Sequence, residues 1–265
     1  MAIEPLQFSA IIVTYNEGIY LQSCLQSLSF CNQIVVLDLG STDNTLEIAH
    51  RYATEVLTHE KIPIVEKIYP IYRQISKNDW IFVLDPDEVF EPALLPKIIE
   101  LIARQHNIGE ICIPRKNYFR HKPLHGTIWG GIQSVTRLIH KDRVDFPQVV
   151  HHGFVLKDGM VRQIIAEPGL YINHYWVEGY TEFIKKHFRY LLHEGEAKYG
   201  MGIRFNFLRM LIDTWRALIN NLIRSGSWRH GLDEIVLSFL YTFYVFISWV
   251  ALWKFERSKN IVDVA

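Results

Sequence analysis

Four short runs, FSAIIVTY (8–15), QIVVLDLG (33–40), ATEVLT (53–58) and WIFVL (80–84), recur along the first third of the chain with helix-patterned stretches between them. They are apolar or β-branched and end at polar or glycine-bearing loops, as strands do. A helical stretch, Ile19 to Phe30, separates the first two; after the loop GSTDNT, Leu46, Ile48, Ala49 and Tyr52 fall on one face of a second helix. Strands that are apolar on both faces must be covered on both faces. The alternation therefore predicts an α/β fold, a mostly parallel sheet with helices on either side. Ligands of such sheets sit beyond the carboxyl ends of the strands.

At the end of the fourth run, Asp85, Asp87 and Glu88 stand side by side in LDPDE. Carboxylates this close repel, and something must offset the repulsion. One reading is a turn at Pro86 that leads the acids to the start of a helix, where the macrodipole favours them. The other is a divalent cation. A helix is expected over 92–105 with Pro92 near its first position, irregular strands and loops over 110–169, and a helical pattern over 171–200. Charge is balanced, 28 basic against 28 acidic residues, which gives no basic field of the kind that marks a nucleic-acid binder. Cys24, Cys31 and Cys112 have no C-x-x-C spacing and make neither a disulfide framework nor a zinc knuckle. A reducing, cytosolic setting is expected, and Met1 to Gln7 lacks the basic n-region of a signal peptide.

TYNE (14–17), LDLGSTDNT (37–45) and DWIFVLDPDE (79–88), in that order, resemble the family 2 inverting glycosyltransferases with a GT-A (Rossmann-like) fold. Within that family the chain is most similar to small bacterial enzymes of the lipopolysaccharide core β-1,4-glucosyltransferase-like group. The likeness continues through RLI (137–139), VH (150–151), HYW (174–176) and KHFRY (186–190). It implies a nucleotide-sugar donor and Mg²⁺ or Mn²⁺, held by one or two carboxylates plus phosphate oxygens. By the same resemblance Asp87 is the direct metal ligand, and Asp85 faces the ribose and the metal's waters. Thr14, Glu17 and Asp38 line the nucleotide pocket, with Asn16 and Tyr15 shaping its loop. Asp43 is read as a helix cap. Glu88 faces the acceptor.

Inversion needs a base for the acceptor hydroxyl. Related enzymes carry an acid four positions before the R-L pair and a His-Glu further on; here stand Gln133 and His151-His152. His151, His152, Glu88 and Asp145 are all candidates, and Arg137 offers a fork to phosphate or to an acceptor carboxylate. The missing carboxylates keep a second reading open, a non-catalytic nucleotide-sugar-binding module. A zinc hydrolase built on His151, His152 and His174 lacks the ligand spacing.

From Phe205 to Ile223 apolar residues recur at helical spacing beside Arg209 and Arg216, and 235–253 runs 19 residues without a charge. That run either spans a bilayer or lies in its interface. The expected organisation is a catalytic domain over 1–202, membrane-associating helices over 203–257 and a tail over 258–265. The expected acceptor is a glycolipid or lipid-linked saccharide at the cytoplasmic face of the membrane.

Overall fold

The computed structural model describes residues 6–62, 67–146 and 153–262. In chain order, β1 (Phe8–Thr14), α1 (Gly18–Ser27), β2 (Gln33–Asp38), α2 (Thr45–Tyr52), β3 (Glu55–Thr58), α3 (Tyr69–Ile75) and β4 (Trp80–Leu84) form the expected alternation. β5 (Glu88–Val89), α4 (Leu94–Arg104), β6 (Ile108–Phe119), β7 (Lys122–Pro123), β8 (Ile132–His140), β9 (Val144–Asp145), β10 (Val155–Leu156), β11 (Val161–Ile164) and β12 (Ile172–Val177) follow. Then come α5 (Tyr180–Gly200), α6 (Phe207–Ile219) and α7 (Leu232–Val262).

The main sheet runs β3-β2-β1-β4-β8-β6-β12-β5. Its first four strands are parallel, with Ile11 of β1 level with Val35 on one side and Val83 on the other. β8 is antiparallel to both β4 and β6, so the sheet is mixed. Because strand side chains alternate, Ala10, Ile12, Val36, Phe82 and Leu84 enter one core with Leu21 and Leu25 of α1 and Leu94 and Ile98 of α4. Ile11, Val35, Leu37, Ile81 and Val83 enter the other with Tyr72 of α3. The fold is the α/β one expected, covered on both faces.

Two segments differ from the pattern reading. Residues 110–169 contain the long strands β6 and β8, whose Arg115, Lys116, Gln133 and Arg137 interrupt the apolar alternation. Residues 172–177 form a strand, not a helix start; INHYWV is β-prone, and its ends bury Ile172 and Val177.

The chain divides into two compact units, residues 1–116 with 132–176, and 117–131 with 177–265. The second is a helical unit. α6 buries Met210 against Trp249 and Leu252 of α7, and it ends in a π-helical turn over Asn220–Arg224. The buried Asn221 explains that turn: its amide donates to the Ala217 carbonyl at 2.8 Å while its oxygen accepts the Ile128 N–H at 2.9 Å. The Glu234 carboxylate accepts the backbone N–H groups of His125 and Gly126, and Trp129 stands edge-on to Phe183 and Tyr241. Residues 117–131 are thus held by helices far along the chain. α7 is long and apolar enough to cross a membrane by length and composition.

Candidate active site at the carboxyl edge of the sheet

Thr14 and Asp38 are register partners at the carboxyl ends of β1 and β2. Asp38 is fully buried, and its Oδ2 accepts the N–H groups of Gly40 and Ser41, both at 2.9 Å. Gly40, at φ +85°, lets the chain turn back over the carboxylate. Asp38 Oδ1 and Thr14 Oγ1 are buried with no protein partner. A buried acceptor without a donor is costly, so this pair points to a hydroxyl or N–H supplied from outside.

The loop after β1 is strapped to the loop after β2. Asn16, at φ 55°, accepts the Thr42 N–H at 2.7 Å and donates its own N–H to Ser41 Oγ at 2.8 Å. Asp43 accepts from Gly18 N–H at 3.3 Å and Thr45 N–H at 3.0 Å, capping the starts of α1 and α2 together. Glu17 is half-buried, and its N–H donates to Thr45 Oγ1 at 3.0 Å.

After β4 the chain turns so that Glu88 begins β5, directly opposite His174 of β12. Glu88 has no exposure. Its Oε2 accepts the Asp85 N–H at 3.1 Å, and its Oε1 accepts from Arg137 at 2.6 Å and Arg115 at 3.4 Å. Burial raises the Glu88 pKa; the Arg137 charge opposes that shift without cancelling it. Arg137 also donates to Asp85, whose side chain is 52% exposed. Desolvation works to raise the Asp85 pKa, but the positive charges facing it, Arg137 first, prevail and hold it below the ordinary value. Arg115 reaches on to the Gln133 amide oxygen at 3.3 Å. Asp87 is buried, with Oδ2 3.2 Å from His174 Nε2, and its carbonyl accepts the Tyr175 N–H at 2.8 Å.

These donors fit a hard cation completed by a ligand. Among the described residues no group of three or more His, Cys, Asp and Glu side chains encloses a metal. Mg²⁺ does not require one, because it binds through one or two carboxylates with water and phosphate oxygens. The carboxylates of Asp85 and Asp87, at the end of β4, match that donor set in kind.

The structure therefore brings together Asp85, Asp87, Glu88 and Arg137, with Thr14, Asn16, Glu17 and Asp38 on the neighbouring strand ends. His151 and His152 lie outside the described residues. Asp145 ends β9 with an exposed side chain. The sequence reading missed Arg115 and the place of His174. The one signal for His174 is its position in HYW, on a strand that only the fold sets against β5.

The sheet and its acidic edge define an α/β protein with a cluster of carboxylates and arginines at its strand ends. Residues 9–165 match the profile of Glycosyl transferase family 2, and the chain belongs to that family. It is 26% identical over 264 residues to the lipopolysaccharide core biosynthesis glycosyltransferase LpsC of Rhizobium meliloti, covering 97% of this chain and 96% of that one. An uncharacterized glycosyltransferase of Rickettsia felis is 30% identical over 148 residues, 55% of this chain and about half (52%) of its own length. Among solved structures, S. aureus TarS 1–349 aligns over 73% of this chain and 66% of its own, at 15% identity and a TM-score of 0.45. Glucosyl-3-phosphoglycerate synthase from Mycobacterium tuberculosis, in complex with Mn²⁺, UDP and glucosyl-3-phosphoglycerate, aligns over 43% and 44% at 19% identity and a TM-score of 0.35.

Proposed function

We propose that this glycosyltransferase is inverting and metal-dependent, and that it moves a sugar from a nucleotide-diphosphate sugar to a membrane-associated saccharide in lipopolysaccharide core assembly. The observation that carries the donor reading is the buried, unpartnered Asp38 Oδ1 and Thr14 Oγ1, on β2 and on the β1 strand that lies next to β4 and its acidic turn. Asp38 receives a hydroxyl or N–H of the nucleoside, and Thr14 shares that pocket with Glu17; Asn16 keeps the loop in shape. Asp87, with His174 and Asp85, holds Mg²⁺ or Mn²⁺. When bound, the ion neutralises the charge of the departing diphosphate. Arg137 fixes Asp85 and keeps a positive charge beside the phosphates.

In the reaction the acceptor oxygen bonds to the anomeric carbon as the bond from that carbon to the diphosphate breaks. The electron pair leaves with the nucleoside diphosphate, and the hydroxyl proton passes to a base. Glu88 is a positioning residue, because both its oxygens are engaged and it is closed off from solvent. The base falls to Asp145, His151 or His152. The likeness to LpsC along almost the whole chain supports the lipopolysaccharide core reading. The exposed apolar residues of α6 and α7, among them Leu208, Trp215 and Phe243, support an acceptor at a membrane surface, and we place the enzyme on its cytoplasmic face.

The test is turnover of a donor panel by the purified full chain with a membrane lipid extract. Asp87→Asn lowers nucleoside diphosphate release by about a hundredfold or more, the scale of losing one transition-state charge contact. Undiminished release would overturn the cation assignment.

A further inference from the structure

A groove between α5 and α7 has no part in this chemistry. It measures about 470 Å³, and its apolar walls are Phe188, Leu191 and Leu192 on one helix with Ile247 and Val250 on the other. Its floor is a close helix contact. A Cβ on Gly195 would come within 2.5 Å of the Ala251 carbonyl oxygen, so only glycine lets the two backbones meet there.

The groove is polarised. His187 lies against Tyr244 and Tyr199 against Phe255, so α5 and α7 run in the same direction. The polar lining residues Glu196, Lys254 and Ser258 therefore gather toward the carboxyl-terminal end of both helices, and the purely apolar lining lies toward the other. Glu196 is the one acid of that lining, and Arg257, over the Trp253 ring at 4.3 Å, and Lys259, over the Phe255 ring at 5.9 Å, stand beyond it, so that cations outnumber the acid at the polar end. The rim is apolar and open: Phe188 is 59% exposed and Leu192 67%. Leaving such a surface in water is unfavourable.

We propose that the groove holds one acyl chain of an anionic membrane phospholipid, its phosphate at Lys254; the Ser258 hydroxyl beside it donates to the Phe255 carbonyl at 2.7 Å. An extended peptide would need hydrogen-bonding partners along its backbone, and the walls offer polar groups at one end only. An amphiphile with one charged head and an apolar tail matches that distribution, and α7 has the length and composition of a membrane segment. The proposal rests on the membrane reading above and extends it, because α5 becomes part of the lipid-binding surface.

The test uses the full chain on phosphatidylcholine vesicles containing phosphatidylglycerol with a photoactivatable group at the acyl terminus. Crosslinks are expected to concentrate in residues 188–192 and 247–250, and Val250→Trp, which fills the groove, abolishes them while vesicle binding persists. Lys254→Gln reduces the preference for phosphatidylglycerol over phosphatidylcholine by about fivefold, the effect of one cation at an anionic surface. Crosslinks spread evenly over Leu211, Trp215 and Phe243, or a dimer crosslinked through the groove, overturn the proposal and leave the membrane reading standing. Absence of vesicle binding by the full chain overturns that reading itself, and the proposal with it.

Discussion

Glu88 and its two arginines set the shape of the acidic turn. The buried Glu88 carboxylate accepts from Arg137, Arg115 and the Asp85 N–H, and an amide in its place would turn an NH₂ toward one of those donors. Glu88→Gln is therefore expected to cost about 3 kcal/mol of stability, the usual effect of removing one partner from a buried ion pair. Chemical denaturation of the full chain measures it; an unchanged midpoint would show that the arginines find other partners. LDPDE made the acids visible in the sequence, but not that Arg115 and Arg137 lie on neighbouring strands. Their registers, Arg115 opposite Gln133 and Phe82 opposite Leu138, are set by pairing between segments distant in the chain. Gln133 was noticed for the carboxylate it replaces, and its observed partner is Arg115.

Elements are positioned by small polar contacts as well as by apolar burial. Asp43 links α1 and α2 by accepting from Gly18 and Thr45, and although desolvation works against it, the Thr45 hydrogen bonds hold its pKa below the ordinary value. Its contribution is thus present above the unfolded carboxylate range and is lost as the pH falls through the lowered value. Asp43→Ala should cost about 1 kcal/mol at neutral pH, the usual effect of removing a capping side chain, and the gap to wild type should narrow on acidification. A gap independent of pH would rule out the charge as its source. The β-α-β half was legible because each strand is a local apolar run and GSTDNT a local capping sequence. β6 and β8 were not, since strands lining a polar site lose the alternation that identifies strands. The amphipathic helix was legible to within a turn, and the π-helical end around Asn221 follows from a partner, Ile128, that no local pattern supplies.

At the scale of the whole molecule, the helical unit includes residues 117–131 together with everything from 177 onward. Truncation after residue 202 removes Glu234 and Asn221 and leaves the amides of His125, Gly126 and Ile128 without acceptors. The truncated chain is expected to lose protection of those amides in hydrogen exchange and to aggregate. Retained protection would show that 117–131 folds without the C-terminal helices.

The central claim, cation-assisted transfer from a nucleotide-sugar to a membrane acceptor, is tested most directly by nucleoside diphosphate release from the preferred donor. The full chain is assayed with the lipid extract, with and without Mn²⁺, and with the delipidated glycan head in place of the extract. The account predicts release that requires Mn²⁺, is much faster with the lipid-borne acceptor, and is lost in Asp87→Asn. Release that proceeds equally in chelator, or equally on the delipidated head, would contradict it.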